Sequence, residues 1–127
     1  MQKYIQISED QIQFLKSYPY PWSFLGKRNT EFILPNFLDP NQYAMISLRV
    51  AENCIDANIR DKIQYPLFLT SANVSGQPES VTLEATKIIF PEIYGFDGGL
   101  CDKKPSDIFS LDSDKNIIYL RKNYGEM

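Results

Sequence analysis

Pro66-Leu67-Phe68-Leu69-Thr70-Ser71-Ala72-Asn73-Val74-Ser75-Gly76-Gln77-Pro78 decides how this chain is read. The apolar run Pro66 to Leu69 has the length and character of a buried strand. The residues after it are small and polar: hydroxyls at Thr70, Ser71 and Ser75, an amide at Asn73 and a hinge at Gly76. Such a loop lets backbone and short side chains come close to an anionic group, where bulky residues would block the approach. The same composition also suits a turn that only ends a strand. Ser71 and Asn73 are two residues apart, so on an extended segment they project to one side and could serve one ligand together.

The elements around this loop predict an α/β domain. Ser8-Glu9-Asp10-Gln11 has the form of a capping box, with acids favouring the positive end of a helix that runs to about Ser17. Pro19 and Pro21 enforce extended backbone, and Trp22 to Leu25 reads as a strand turning at Gly26. Residues 29 to 43, with Pro35 and Pro40, read as an irregular connection. Met45 to Val50 alternates: Ile46, Leu48 and Val50 share one face, and Arg49 points away from it towards a surface or cleft. Ile55, Ile59 and Ile63 recur every four residues as a helical stripe of core packing. Leu83, Ala85, Ile88 and Ile89 fit a helix that starts near Thr82 and is stopped by Pro91, and Ile93 to Phe96 reads as a strand. Ile108 to Leu111 and Ile117 to Leu120 flank the polar Asp112-Ser113-Asp114-Lys115-Asn116, as in a β-hairpin. Strand, helix, strand, helix and further strands imply a mixed twisted sheet with flanking helices.

With 127 residues, 43% hydrophobic and 13% aromatic, the chain is sized for one domain, residues 1 to 127, with a respectable core. Its longest apolar runs are of four or five residues, too short to span a bilayer, and Met1 to Gln6 lacks the apolar stretch of a signal peptide. No membrane partner and a cytoplasmic location are therefore expected. Cys54 and Cys101 stand alone in a chain without histidine, which argues against zinc and against a disulfide scaffold. Thirteen basic residues against sixteen acidic ones give a formal charge of −3. Lys103, Lys104, Arg121 and Lys122 interleave with Asp102, Asp107, Asp112 and Asp114, so a mixed-charge surface is expected and RNA binding should be weak at most.

Taken in order, Tyr18-Pro19-Tyr20-Pro21-Trp22-Ser23, Ile46-Ser47-Leu48-Arg49-Val50, Ser71-Ala72-Asn73-Val74-Ser75-Gly76, Asp97-Gly98-Gly99, Pro105-Ser106-Asp107-Ile108 and Leu120-Arg121 resemble the carboxy-terminal part of YrdC-like domains. That family contains the threonylcarbamoyl-adenylate synthases, and the resemblance covers about residues 18 to 125. The family domain carries a long segment ahead of the Pro-x-Pro piece, so the resemblance implies a YrdC-like domain truncated on its amino-terminal side. The lysine-and-arginine motif that holds ATP phosphates in the family belongs to that segment.

The activity implied by the resemblance joins threonine and bicarbonate and activates the carbamate with ATP, giving threonylcarbamoyl-adenylate for tRNA threonylcarbamoyladenosine (t6A) biosynthesis. Arg49, Ser71 and Ser106 fall at threonine-binding positions, and Asn73 and Arg121 at ATP-binding positions. No nucleophile or resident metal is implied, only ATP with or without magnesium. Arginine suits both roles, because its planar fork donates two hydrogen bonds at once to carboxylate or phosphate and keeps its charge. The chain departs from the pattern in three places: Glu52 stands where Val-Arg-x-Pro has its proline, Asp107 stands where the family has threonine, and Lys122-Asn123-Tyr124 disturbs Leu-Arg-x-Gly. A carboxylate at 107 would repel a nearby triphosphate. The expectation is a protein that keeps part of a threonine and ATP site without being a synthase on its own. The alternatives are one half of a split synthase completed by another chain, a non-catalytic module for nucleotide, double-stranded RNA or tRNA whose open face is covered by the helix at residues 8 to 17 or by self-association, and a relic whose fold survives for assembly alone.

Overall fold

The computed structural model describes residues 1–50, 55–64, 67, 69 and 71–125. Its contacts divide the chain into two compact units, one of Met1–Lys62 with Lys104–Met127 and one of Ile63–Lys103.

The first unit is built on a four-stranded sheet. Its strands are β1 (Trp22–Lys27), β2 (Met45–Leu48), β3 (Asp107–Leu111) and β4 (Ile117–Arg121), in the order β2-β1-β3-β4. β2 and β4 run antiparallel to their neighbours and β1 runs parallel to β3, so the sheet is mixed, as the order of elements implied. Alternation along the strands puts Trp22, Phe24, Ile46, Leu48, Phe109, Leu111, Ile117 and Tyr119 on one face. The core cluster on that face is Ile5, Leu15, Trp22, Phe24 and Phe109, with Phe109 wholly buried.

Helix α1 (Glu9–Ser17) supplies Leu15 to this core. The expected capping box is present: the amide of Gln11 donates to Ser8 Oγ at 3.2 Å, and the amide of Ser8 donates to Gln11 Oε1 at 3.0 Å. The chain ahead of the helix also lies on the sheet, since Ile5 bridges Arg28 and the Gln6 amide donates to the Lys27 carbonyl at 2.8 Å. This explains why β1 runs through Gly26 to Lys27 where a turn was expected. A Cβ on Gly26 would lie 2.8 Å from Ile5 Cδ1, so glycine here is a place for Ile5 to cross the strand, not a bend.

The hairpin β3–β4 forms as expected. Its loop is organised by Asp112, whose carboxylate accepts from the amides of Asp114 and Asn116, while Lys115 takes the left-handed conformation at φ 63°. These bonds hold the Asp112 carboxyl below its ordinary range. The stripe at Ile55, Ile59 and Ile63 yields only one helical turn, α2 (Ala57–Arg60), because Asp56 starts the turn by capping Asn58 and Asp61 ends it. A turn this short gains too few hydrogen bonds to propagate.

The second unit contains α3 (Leu83–Ile89). Thr82 caps it by accepting from the Ala85 amide at 3.1 Å, close to the expected start, and the helix ends before Pro91. No strand forms at Ile93 to Phe96: Tyr94 and Phe96 are exposed, and among the described residues no strand pairs with this segment. Of the run ahead of the polar loop, Pro66, Phe68 and Thr70 lie outside the described residues. Leu67 and Leu69 are described, and both are exposed and outside any strand. Cys54 also lies outside the described residues, and Cys101 is a free, exposed thiol. Among the described residues no helix is long and apolar enough to cross a membrane.

Candidate functional site

On the face of the sheet opposite the core, polar groups collect at one end. Ser23 sits at the start of β1, Ser106 immediately before β3, and Arg121 at the end of β4. The Oγ atoms of Ser23 and Ser106 lie 3.2 Å apart, and both serines are buried. Arg121 reaches over them: Nε donates to the Ser106 carbonyl at 2.9 Å, and Nη2 donates to Ser106 Oγ at 3.3 Å. In the antiparallel register that pairs Phe24 with Leu48, Ser23 and Arg49 are the next positions along, just past the last residue of β2. Arg49 therefore follows Ser47 onto the polar face, as the alternation at Met45 to Val50 predicted.

Arg49 Nε is buried and has no hydrogen-bond partner. A guanidinium N–H out of water without an acceptor is costly, and native structures almost always supply one. Among the described residues only one other buried side-chain polar atom is unpartnered, and it is Asn73 Oδ1.

Asn73 lies in the second unit, in the small polar loop. Its Nδ2 donates to the carbonyls of Val74 at 3.0 Å and Gln77 at 2.8 Å. Two carbonyl acceptors fix which end of the amide carries the nitrogen, so Oδ1 is left as an open acceptor. Gly76 takes φ 84° with open space around it, which lets the loop turn back and the Gln77 amide donate to the Val74 carbonyl at 2.9 Å. The loop is tied to α3 by Ser80, which donates to the Ala72 carbonyl at 2.6 Å and lies 2.7 Å from Thr86 Oγ1. Ser71 is exposed in this loop. Of the candidate residues, the first unit thus gathers Arg49, Ser106 and Arg121, and the second holds Ser71 and Asn73.

Asp107 does not share the polar face with Ser23 and Ser106. It points to the core face, is wholly buried, and accepts from the Tyr18 hydroxyl at 2.6 Å and from the amides of Asn123, Tyr124 at 2.8 Å and Gly125 at 2.9 Å. Burial alone would raise its pKa. The bonds from Tyr18, Tyr124, Asn123 and Gly125 more than offset this and hold the carboxyl below its ordinary value. The Tyr18 hydroxyl, desolvated and giving its proton to Asp107, is pushed far above the ordinary tyrosine range. Having donated to Asp107, it is left to accept from Tyr119 Oη, 3.2 Å away.

A family model described as telomere recombination, covering the Sua5, YciO and YrdC proteins, matches residues 1–123. The chain belongs to the Sua5/YciO/YrdC family. The match begins at residue 1, so it takes in α1 and the crossing at Ile5 as well as the polar end of the sheet and the Asn73 loop. No curated protein and no solved structure matches the chain.

Sequence reasoning did not name Ser23, the last residue of the Tyr18 to Ser23 piece, whose hydroxyl lies against that of Ser106. It also missed Tyr18, for which nothing local in the sequence is a signal, since the partner is 89 positions away. Of the basic residues near the carboxy terminus, Lys104 and Lys122 are engaged at short range. Lys104 Nζ donates to the Asn123 carbonyl and lies 5.8 Å from the Tyr124 ring centroid, and Lys122 lies 4.8 Å from that of Tyr119.

Proposed function

We propose that this Sua5/YciO/YrdC domain keeps part of a threonine and ATP site related to that of threonylcarbamoyl-adenylate synthase, the enzyme that activates threonine and bicarbonate for tRNA t6A formation. Arg49, Ser71 and Ser106 would contact threonine, and Asn73 and Arg121 would contact ATP. The observation that carries this reading is the unpartnered buried Arg49 Nε of the first unit, and within the second unit Asn73 Oδ1 is likewise buried without a partner. Both belong to residues that motif order had assigned to ligands. Arg49 offers a donor suited to a carboxylate or phosphate oxygen, and Asn73 offers an acceptor suited to an ammonium, amino or hydroxyl group. Each would regain on ligand binding the hydrogen bond it lacks.

The chemistry asks for positioning and charge neutralisation, not for a nucleophile, and the absence of histidine from the sequence is compatible with it. Turnover by these 127 residues alone is proposed to be weak, since the lysine-and-arginine phosphate motif of the family is not among them. A complementary chain or self-association is proposed as a partner for the site.

Calorimetric titration with ATP, with and without threonine, tests this. ATP should bind more tightly when threonine is present. Arg49→Ala should weaken threonine binding by about ten- to a hundredfold, the loss of a charge-assisted hydrogen bond. Absence of heat with either ligand, or an Arg49→Ala protein that binds threonine as the parent does, would sink the reading.

A further inference from the structure

We propose that Asp107 is a positioning residue for the Ser106–Arg121 pair, acting with Tyr18 to clamp both chain segments that carry the pair. The proposal rests on the ligand role given above to Ser106 and Arg121, and concerns how this chain holds them in place.

Asp107 is the residue after Ser106, and the three amides it accepts from begin two residues after Arg121. One carboxylate therefore pins the chain on both sides of the Arg121–Ser106 contact. Further bonds follow the same seam: Asn123 Nδ2 donates to the Pro105 carbonyl at 3.0 Å, and the Tyr124 hydroxyl donates to the Lys104 carbonyl at 2.7 Å. Tyr124 also stacks on Tyr20, ring centroids 6.0 Å apart. Gly125 is required for the approach, because a Cβ there would collide with the hydroxyls of Tyr119 and Tyr18.

Two departures from the family pattern thereby become one physical unit. Asp107 in place of threonine supplies a carboxylate with room for several donors. Lys122-Asn123-Tyr124, in place of the pattern after Leu-Arg, adds side chains that close the same seam, Asn123 Nδ2 on the Pro105 carbonyl and the Tyr124 hydroxyl on the Lys104 carbonyl. Among the described residues the charge is met by hydrogen bonds and not by an ion pair, and it faces the core side, away from the serines. Isoelectronic substitution cannot keep this arrangement. An asparagine at 107 presents one acceptor oxygen and an amino group that meets donors on its other side.

Side-chain Nε–H exchange of Arg121, followed by NMR on the full chain under native conditions, tests the proposal. Asp107→Asn should accelerate exchange at Arg121 Nε and at the amides of Asn123, Tyr124 and Gly125 by about tenfold or more. Tyr18→Phe, which removes one donor and keeps the ring, should do the same to a smaller degree, and decides the matter if Asp107→Asn does not fold. Leu15→Ala lowers stability through the core without touching the clamp, and should leave Arg121 Nε protected. Arg121 protection unchanged in Asp107→Asn and Tyr18→Phe, or lost equally in Leu15→Ala, would overturn the proposal. ATP titration of the parent protein is read separately: no ATP binding would count against the ligand site, while the exchange rates still decide the positioning role.

Discussion

Replacing Asp107 by alanine is expected to lower the unfolding free energy by about 3–4 kcal/mol, most of it from donors left without an acceptor. The carboxylate serves four donors, the Tyr18 hydroxyl and the amides of Asn123, Tyr124 and Gly125. A buried donor that loses its partner costs about 1–3 kcal/mol, yet the sum over four is not reached, because the terminal segment can swing into water. That movement forfeits the Tyr20–Tyr124 stacking and loosens Arg121 from Ser106. Urea unfolding followed by the fluorescence of Trp22, the single tryptophan, which pairs with Asp107 across β1 and β3, measures the loss. A loss below about 1 kcal/mol would mean that the clamp is not a unit.

The same substitution should flatten the acid side of the stability curve. Asp107 has its pKa depressed in the folded chain, so its contribution is fully present above the ordinary value of 3.8 and is lost as pH falls through the lower folded value. The parent protein should lose stability below about pH 4 more steeply than Asp107→Ala does.

These expectations rest on features of uneven visibility in the sequence. Helices α1 and α3 could be read because their caps, Ser8 with Gln11 and Thr82, are local chemistry, and β3–β4 because alternation and a polar loop are local too. Ile93 to Phe96 has the composition of a strand but pairs with none among the described residues, and pairing is a tertiary property that composition does not contain. Gly26 has the look of a turn, and only the position of Ile5, twenty-one residues earlier, shows why the strand needs it. The motif order put Arg49, Ser106 and Arg121 on a ligand list, and they do share one end of the sheet. The setting of Asp107 was not legible for the opposite reason. Its charge was visible, but the side chain's direction depends on strand phase, and its partners are a tyrosine in the Pro-x-Pro piece and three backbone amides that carry no residue signature.

Phe109→Ala should cost about 3–5 kcal/mol and should be non-additive with changes at Asp107. Phe109 is wholly buried at the centre of the sheet, with ring centroids 4.9 Å from Tyr18, 5.8 Å from Tyr119 and 6.3 Å from Phe24. Removing the ring takes away buried apolar area and leaves a cavity that the strands on either side cannot close, since β1 and β4 are fixed by their pairing with β3. The two tyrosines that pack on Phe109 are also those whose hydroxyls meet above Asp107. A cavity beneath their rings lets the hydroxyls drift, so part of the Phe109→Ala loss is the loosening of the clamp. The double variant Phe109→Ala with Asp107→Asn should therefore lose less than the sum of the two single losses, by at least about 0.5 kcal/mol. Strict additivity in urea unfolding would show that the aromatic centre and the carboxylate clamp act independently, and that Phe109 contributes only through its own burial.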